Sequence, residues 1–355
     1  MNITAHRLYN QFISRAFDGS LSELVEHMGA VQAQDYAGCK WAIVLRMQGL
    51  NEQDVEQAIN DGTLVRTHVL RPTWQLVSPK DIRWMLALTA PRVNAFNSSQ
   101  YRKLELDDTI FKQSNKIIVK ALSAEKYLTR AAIEIDLKNK GIATNDIRVT
   151  CIMMYAELAG LICNGPRQGK QFTYTLLDDR IPTTHPLQYE EALAELTKRY
   201  LTSHGPATVH DFAWWSGLTI TDAKRGIESV KENFVSVFVD GATYWMPDAE
   251  GNFTATKNAV YLLPAFDEYT VAYRDRTTLL AAAHHEKTAL EILNPVIVVD
   301  GHVAGTWRRT LKKETVEIEL IKPFTKFTAT ALKAINKAAK NYGAFLAAEV
   351  KIIID

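Results

Sequence analysis

The sequence predicts an α+β fold in which a group of helices followed by an antiparallel hairpin recurs along the chain. Three observations carry that expectation. Apolar residues at helical spacing lead, again and again, into two short strand-like runs. The runs are joined by residues that turns require, at Arg71-Pro72, in GPRQGK (165–170), and at Asp240-Gly241 and Asp300-Gly301. After about residue 258 the pattern changes to strands surrounding one basic helix.

The elements follow in order. Residues 4–17 predict an amphipathic helix with Leu8, Phe12, Ile13 and Phe17 on one stripe. Further helices are expected from Leu21 to about Met28, through Trp41 to Met47, and over 51–60. TLVRTHVLRPTWQLVS then predicts a strand, a turn and a second strand. Helices followed by a hairpin are the order of a winged helix, a DNA-binding relative of helix-turn-helix. A second pass has TRAAIEIDLKNKG (129–141), with Thr129 as N-cap and Gly141 as stop. TNDIRVTCIMMYAELAGLI (144–162) stands where a recognition helix would lie, and ICNGPRQGKQFTYTLL predicts the hairpin. A third pass runs through a long helix from Pro186 to Tyr200, TVHDFAWWSG (208–217), TITDAKRGIESV (219–230) and the hairpin FVSVFVDGATYWMP. The expected domains are winged helices at 1–107, 108–183 and 184–257, and a β-rich, α+β or barrel-like C-terminal domain at 258–355. That last domain should hold a hairpin at 295–311, the alternating strand KETVEIELI, a basic helix over 325–342 and a final strand EVKIIID.

Composition bounds the function. The 355 residues suffice for two or three domains, and the hydrophobic and charged fractions, 47% and 23%, are those of an ordinary globular protein. A net charge of +1 excludes a uniformly basic nucleic-acid binder, so any basic surface must be local. Cys39, Cys151 and Cys163 are odd in number and far apart, with neither zinc spacing nor a disulfide framework, which fits a reducing cytoplasm. His284 and His285 are adjacent and do not share a helix face, so no metal is expected there, and no cofactor elsewhere. No signal-like core opens the chain and no apolar run is long enough for a bilayer, so a membrane is not an expected partner.

The local basic surface has four expected parts. Residues 301–313 hold Arg308, Arg309, Lys312 and Lys313 and no acid. Lys326, Lys333, Lys337 and Lys340 fall on one helical stripe without interleaved glutamates, a face that suits a phosphate backbone. Arg167 and Lys170 sit among glycines, as in a wing that touches phosphate. Arg66, His68 and Arg71 crowd the first strand pair, where proline fixes the turn and leaves Arg71 free to reach out.

VQAQDY, RTHVLRPTWQLVSPKD, LLPAFDEY…YRDR and VDGHVAGTWRR, in that order, resemble the bacterial winged-helix family that includes the azinomycin-resistance DNA glycosylase AlkZ and its relative YcaQ. The resemblance runs from about residue 5 to the end. It implies three tandem winged helices curved around double-stranded DNA, and a Gln-x-Gln catalytic signature at Gln32 and Gln34.

Amides suit that chemistry. A purine alkylated at N7 or N3 already carries positive charge and leaves without protonation. What remains is to hold a water against C1′, and two glutamines can do so through several hydrogen bonds. Asp35 ranks third, because adjacent residues point in different directions. No lysine lies just before the motif, and Lys40 is beyond it, so lyase chemistry is not expected. Arg71 and His68 are expected beside the lesion, and Arg308 as a probe of the minor groove with Trp307 anchoring it. The reading is therefore a monomeric, cytoplasmic, nucleoid-associated DNA glycosylase without lyase activity. The alternative is a winged-helix DNA-binding protein or regulator without catalysis.

Overall fold

The computed structural model describes residues 1–183, 186–248, 257–281, 292–321, 323–324 and 326–354; His284 and His285 lie outside them. Helix α1 (Ile3–Asn10) opens the chain and ends sooner than expected, because Phe12 takes a left-handed φ of 57°. The first repeat follows. It comprises α2 (Leu21–Met28), β1 (Val31–Gln32), α3 (Tyr36–Leu45), α4 (Glu52–Asp61), β2 (Val65–His68) and β3 (Trp74–Val77). Its helices start where side chains satisfy otherwise unpaired N–H groups: Ser20 with Glu23, Asp35 on Gly38, and Asn51 with Asp54. The three strands form an antiparallel sheet in the order β1-β3-β2.

Helix α5 (Ile82–Lys103), which contains Pro91, leads to the second repeat. There α6 (Asp108–Ala124), β4 (Leu128–Thr129), α7 (Arg130–Asn139), α8 (Arg148–Leu158), β5 (Ile162–Asn164) and β6 (Thr173–Leu176) keep the same order, with the sheet again β4-β6-β5. Thr129 caps α7 through Ala132 N–H, and Gly141 has a φ of 80° beyond its end, both as the sequence predicts. The long helices α5 and α6 have no counterpart in the sequence expectations. After α9 (Leu177–Arg180) comes the third repeat, with α10 (Tyr189–His204), α11 (Val209–Ser216), α12 (Ile220–Val230), β7 (Phe234–Val239) and β8 (Ala242–Pro247). A bridge between Ala207 and Trp245 takes the place of the first short strand. The order helix, strand, helix, helix, strand, strand thus occurs twice among the described residues, and a third time with a bridge in place of the first strand.

The C-terminal part contains β9 (Val260–Leu263), α13 (Glu268–Val271), β10 (Val296–Val299), β11 (His302–Leu311), β12 (Thr315–Ile321), α14 (Ala329–Leu346) and β13 (Glu349–Ile354). It is an open five-stranded sheet, β13-β12-β11-β10-β9, rather than a barrel. Only β12 and β13 run parallel, and α14 makes the crossover that a parallel pair requires. Asp240-Gly241 and Asp300-Gly301 turn with positive φ at both residues, the geometry of a tight hairpin. Thr328 caps α14, so Lys326 precedes the helix and is not on its stripe.

This sheet has no core to itself. Trp41, Trp307, Tyr342 and Phe345 pack together with the helices of the first repeat. The Trp41 and Trp307 indoles donate to the Leu262 and Leu263 carbonyls at 2.7 and 2.8 Å. Asp267, buried just beyond β9, accepts two bonds from Arg46 at 2.8 and 2.9 Å. The C-terminal sheet is thereby fixed to the edge of the first repeat that carries Gln32 and Gln34. No helix of the described residues is long and apolar enough to cross a membrane.

Candidate active site

Gly29, with a φ of 75°, ends α2 and turns the chain into β1. Gln32 closes that strand, and Gln34 follows two residues on, in the bend that leads to α3. The backbone between them is held by residues far away in sequence. Gln32 N–H donates to Glu268 Oε1 at 2.8 Å. Ala33 N–H donates to the Trp74 carbonyl at 2.8 Å. The Ala33 carbonyl accepts two bonds of 3.3 Å from Arg66, whose guanidinium lies 3.9 Å from the Trp74 ring and 4.5 Å from Phe172.

The two side chains differ. Gln32 is buried, and its Oε1 accepts a bond of 3.0 Å from Arg71. Its NH2 end and a second carbonyl lone pair remain for a ligand. Gln34 is exposed, and Trp74 N–H reaches its Oε1 only at 3.5 Å, the outer limit of a hydrogen bond. One amide is therefore fixed and the other is left to adapt.

Behind Gln32 stands a buried carboxylate. Glu268 Oε2 accepts from Trp215 Nε1 at 2.9 Å and lies 3.5 Å from His204 Nε2. Burial pushes the His204 pKa down, and Glu268 opposes that shift only in part. Arg71 reaches Gln32 from the turn that joins β2 to β3. Gly217 makes that approach possible, because a Cβ there would collide with the Leu70 carbonyl, and it brings the end of α11 against the turn.

The remaining sequence candidates fall elsewhere. Asp35 caps α3 and faces Arg309 Nη2 at 4.0 Å, in a cleft of about 390 Å3 that Pro264 and Arg308 also line. Its carboxylate is thus engaged apart from the amides. His68 is buried against Trp74, with Nδ1 2.6 Å from Glu157, so it packs the interior and cannot hold a phosphate. Trp307 is likewise buried, so it is not a DNA-contacting residue and can serve only as an anchor. Arg308 and Arg309 lie within the paired strand β11, opposite Glu319 and Ile318, and not at a hairpin tip. Arg308 is exposed and pairs with Glu319, while Arg309 donates to the Tyr342 hydroxyl at 2.7 Å.

Arg167 is half-buried, 3.5 Å from Glu56 and above the rings of Tyr36 and Phe172. It joins the second repeat to the first. Lys170 is exposed in the same turn. Lys326, Lys333, Lys337 and Lys340 are all exposed, and none forms an ion pair among the described residues. No group of three metal-ligating side chains gathers among the described residues. The sequence marks Arg66 only as part of a basic strand pair, and does not mark Trp214, Trp215 or Glu268 as site residues. The one available signal was the pair Asp267-Glu268 inside an apolar run, since buried acids need dedicated partners.

A sequence model of the family described as DNA glycosylase AlkZ-like matches residues 25–345. The chain is 24% identical to an interstrand DNA cross-link repair glycosylase of Streptomyces sahachiroi, over 95% of this chain and 94% of that protein. Its fold is similar to the solved structure of the Streptomyces sahachiroi DNA glycosylase AlkZ, with a TM-score of 0.79 at 22% identity, covering 99% of this chain and 98% of the other.

Proposed function

This chain belongs to the AlkZ-like DNA glycosylase family, and from that premise we propose that it is a monofunctional glycosylase that removes purines alkylated at N7 or N3 from double-stranded DNA. Bulky adducts and interstrand crosslinks fall within its substrates, in line with the cross-link repair activity named for its Streptomyces relative. The three repeats act as winged helices, and a single chain engages the duplex. The exposed lysines of α14, with Lys326, Lys170 and Arg308, supply contacts to phosphate that carry no sequence information.

Gln32 and Gln34 hold the attacking water. Its oxygen bonds to C1′ as the C1′–N bond breaks, and the bonding pair neutralises the departing cationic base. The water's proton is passed to solvent, since an amide is a poor base. Catalysis is then positioning and electrostatics, with the Glu268 carboxylate behind Gln32 balancing the Arg71 charge beside it. Lys40 offers no amine for a Schiff base, because its Nζ is tied to Glu52 and Glu56 at 2.6 and 2.8 Å.

The observation that carries this reading is the paired amides, one gripped through its backbone and its carbonyl, the other exposed two residues on. The test is incubation with duplexes containing N7-methylguanine or a nitrogen-mustard crosslink, scoring abasic sites. Abasic product is expected from both. A chain that binds every duplex and opens no glycosidic bond is a DNA-binding protein without catalysis.

A further inference from the structure

Beside the amides lies an aromatic ring that the water-positioning chemistry does not use. Trp214, on α11, is 43% exposed, whereas its neighbour Trp215 is buried. The Trp214 indole N–H donates to the Val271 carbonyl at 3.0 Å, which fixes the ring in place. Two guanidiniums lie against that ring, Arg276 at 5.5 Å and Arg71 at 5.9 Å from its centroid. Arg71 is the residue that donates to Gln32 Oε1.

Carboxylates act on the two guanidiniums only at a distance, Glu268 on Arg71 and Asp211 on Arg276. Neither forms an ion pair with a carboxylate among the described residues. Arg276 spends its Nε on the Thr270 carbonyl at 2.7 Å, and Arg71 Nε is buried with no partner among those residues. Two like charges held near one ring repel unless an anion joins them.

Charge also decides what that anion is. An alkylated purine is a cation until its bond breaks, so two arginines would repel it, and Trp214 is not its seat. A phosphodiester carries the right sign, and guanidiniums grip phosphate oxygens through paired N–H bonds. The Trp214 ring beside them carries no charge, so it leaves both guanidiniums to that anion.

We propose that Arg71, Arg276 and Trp214 form a subsite for one DNA phosphodiester, flanking the nucleotide presented to Gln32. The subsite rests on the glycosylase reading for its register, though not for its affinity. Arg71 contacts the phosphate and Gln32 together, so seating the phosphate fixes the amide. Arg71 is therefore a positioning residue, and Arg276 a binding residue.

Two arms separate failure of the subsite from failure of the glycosylase reading. In the first, binding to an undamaged duplex is measured against salt for wild type, Arg276→Gln and Arg276→Lys. Glutamine can keep a bond to Thr270 and removes the charge. It should lower the slope of log affinity against log salt by about 0.9, so that the affinity ratio between 50 and 200 mM salt narrows about threefold. Lysine should restore the slope, and thermal melts check that each variant folds. In the second arm, single neutral methylphosphonate linkages are walked past an N7-methylguanine. One linkage adjacent to the lesion should slow wild-type single-turnover excision at subsaturating protein, and should no longer slow Arg276→Gln. If wild type excises nothing, the glycosylase reading fails and the salt arm still judges the anion site. An unchanged salt slope in Arg276→Gln overturns the subsite. Wild-type excision indifferent to every adjacent methylphosphonate overturns it as well, whether or not the variants fold.

Discussion

The segment around Gln32 and the lysine face of α14 both present polar groups for a ligand, and they are held in opposite ways. Gln32 is fixed by Arg71 and Glu268, 39 and 236 residues away, and by Arg66 acting through Ala33. Every one of those bonds is at least partly buried, where an unmatched polar group is costly. Lys333, Lys337 and Lys340 need only the helix that carries them. Thr328 starts it, and Ile335, Ala338, Tyr342 and Phe345 bury its other side. Three exposed ammonium groups, without ion-pair partners among the described residues, remain on the outer face. Coupled buried interactions should fail together and steeply, whereas exposed charges should act independently and yield to salt.

The largest effect should come from the amides. Gln32→Ala is expected to lower the single-turnover excision rate by about a hundred- to a thousand-fold, and Gln34→Ala by about ten- to a hundred-fold, with duplex affinity near wild type. The asymmetry follows from the fixed geometry of Gln32 and the looser one of Gln34. The double variant should lose less than the product of the two, because both amides act on one water. Gln34→Asp should retain excision of small N7-alkyl lesions, since a carboxylate accepts a proton where an amide cannot. Equal losses in the two alanine variants would erase the proposed division between a fixed and an adaptable amide.

Next comes the carboxylate behind them. Glu268→Ala leaves the Gln32 N–H and the Trp215 indole without acceptors, at a cost of about 2–4 kcal/mol by analogy with other orphaned buried donors. Urea unfolding would measure it. A variant as stable as wild type would show that the backbone grip on Gln32 is not set by this residue. His204 gives the same wall a pH signature. Its midpoint in an NMR titration should lie below the usual histidine value, because burial lowers its pKa. The unfolded chain then takes up that proton at higher pH than the folded one. The stability owed to neutral His204 is therefore complete above about pH 6.5 and is lost as pH falls towards the folded pKa. A titration midpoint above 6.5 would reverse this sign.

The same contrast decides what was legible in the sequence. Elements set by local pattern were readable: Thr129 before α7, the Asp-Gly turns, the alternation of β12. So was the motif at Gln32 and Gln34, through its resemblance to a family. Partnerships across the chain were not. Nothing local to RTHVL says that Arg66 serves Ala33 while His68 turns inward to Glu157, which lies 89 residues later. Alternation along β2 puts both residues on one face, and only the packing of α8 there decides which of them meets an acid. Lys326 failed for the reverse reason: the stripe is sound from Lys333 onwards, but Thr328 starts the helix too late to include it.

Salt addresses the second region. Changing Lys333, Lys337 and Lys340 together to Glu should weaken duplex binding and lower its salt slope by about 0.9 for each phosphate that is no longer neutralised, with the single-turnover rate at saturating DNA unchanged. A slope that does not move would mean that this face of α14 meets something other than DNA.

Arg308 should give the smallest change, and it tests whether the strand β11 belongs with the lysines or with the amides. Its guanidinium is exposed and paired with Glu319 across the strand, an interaction that contributes little to stability in water. Arg308→Ala should therefore leave the thermal transition in place. If Arg308 neutralises one phosphate, the salt slope falls by about 0.9, as for a single lysine of α14. If it instead enters the groove beside the lesion, the loss appears in the single-turnover rate at saturating DNA, where the lysine variants are silent. A rate loss without a slope change would place β11 with the active site. A loss of the thermal transition alone would make the arginine structural, and the pairing with Glu319 its whole role.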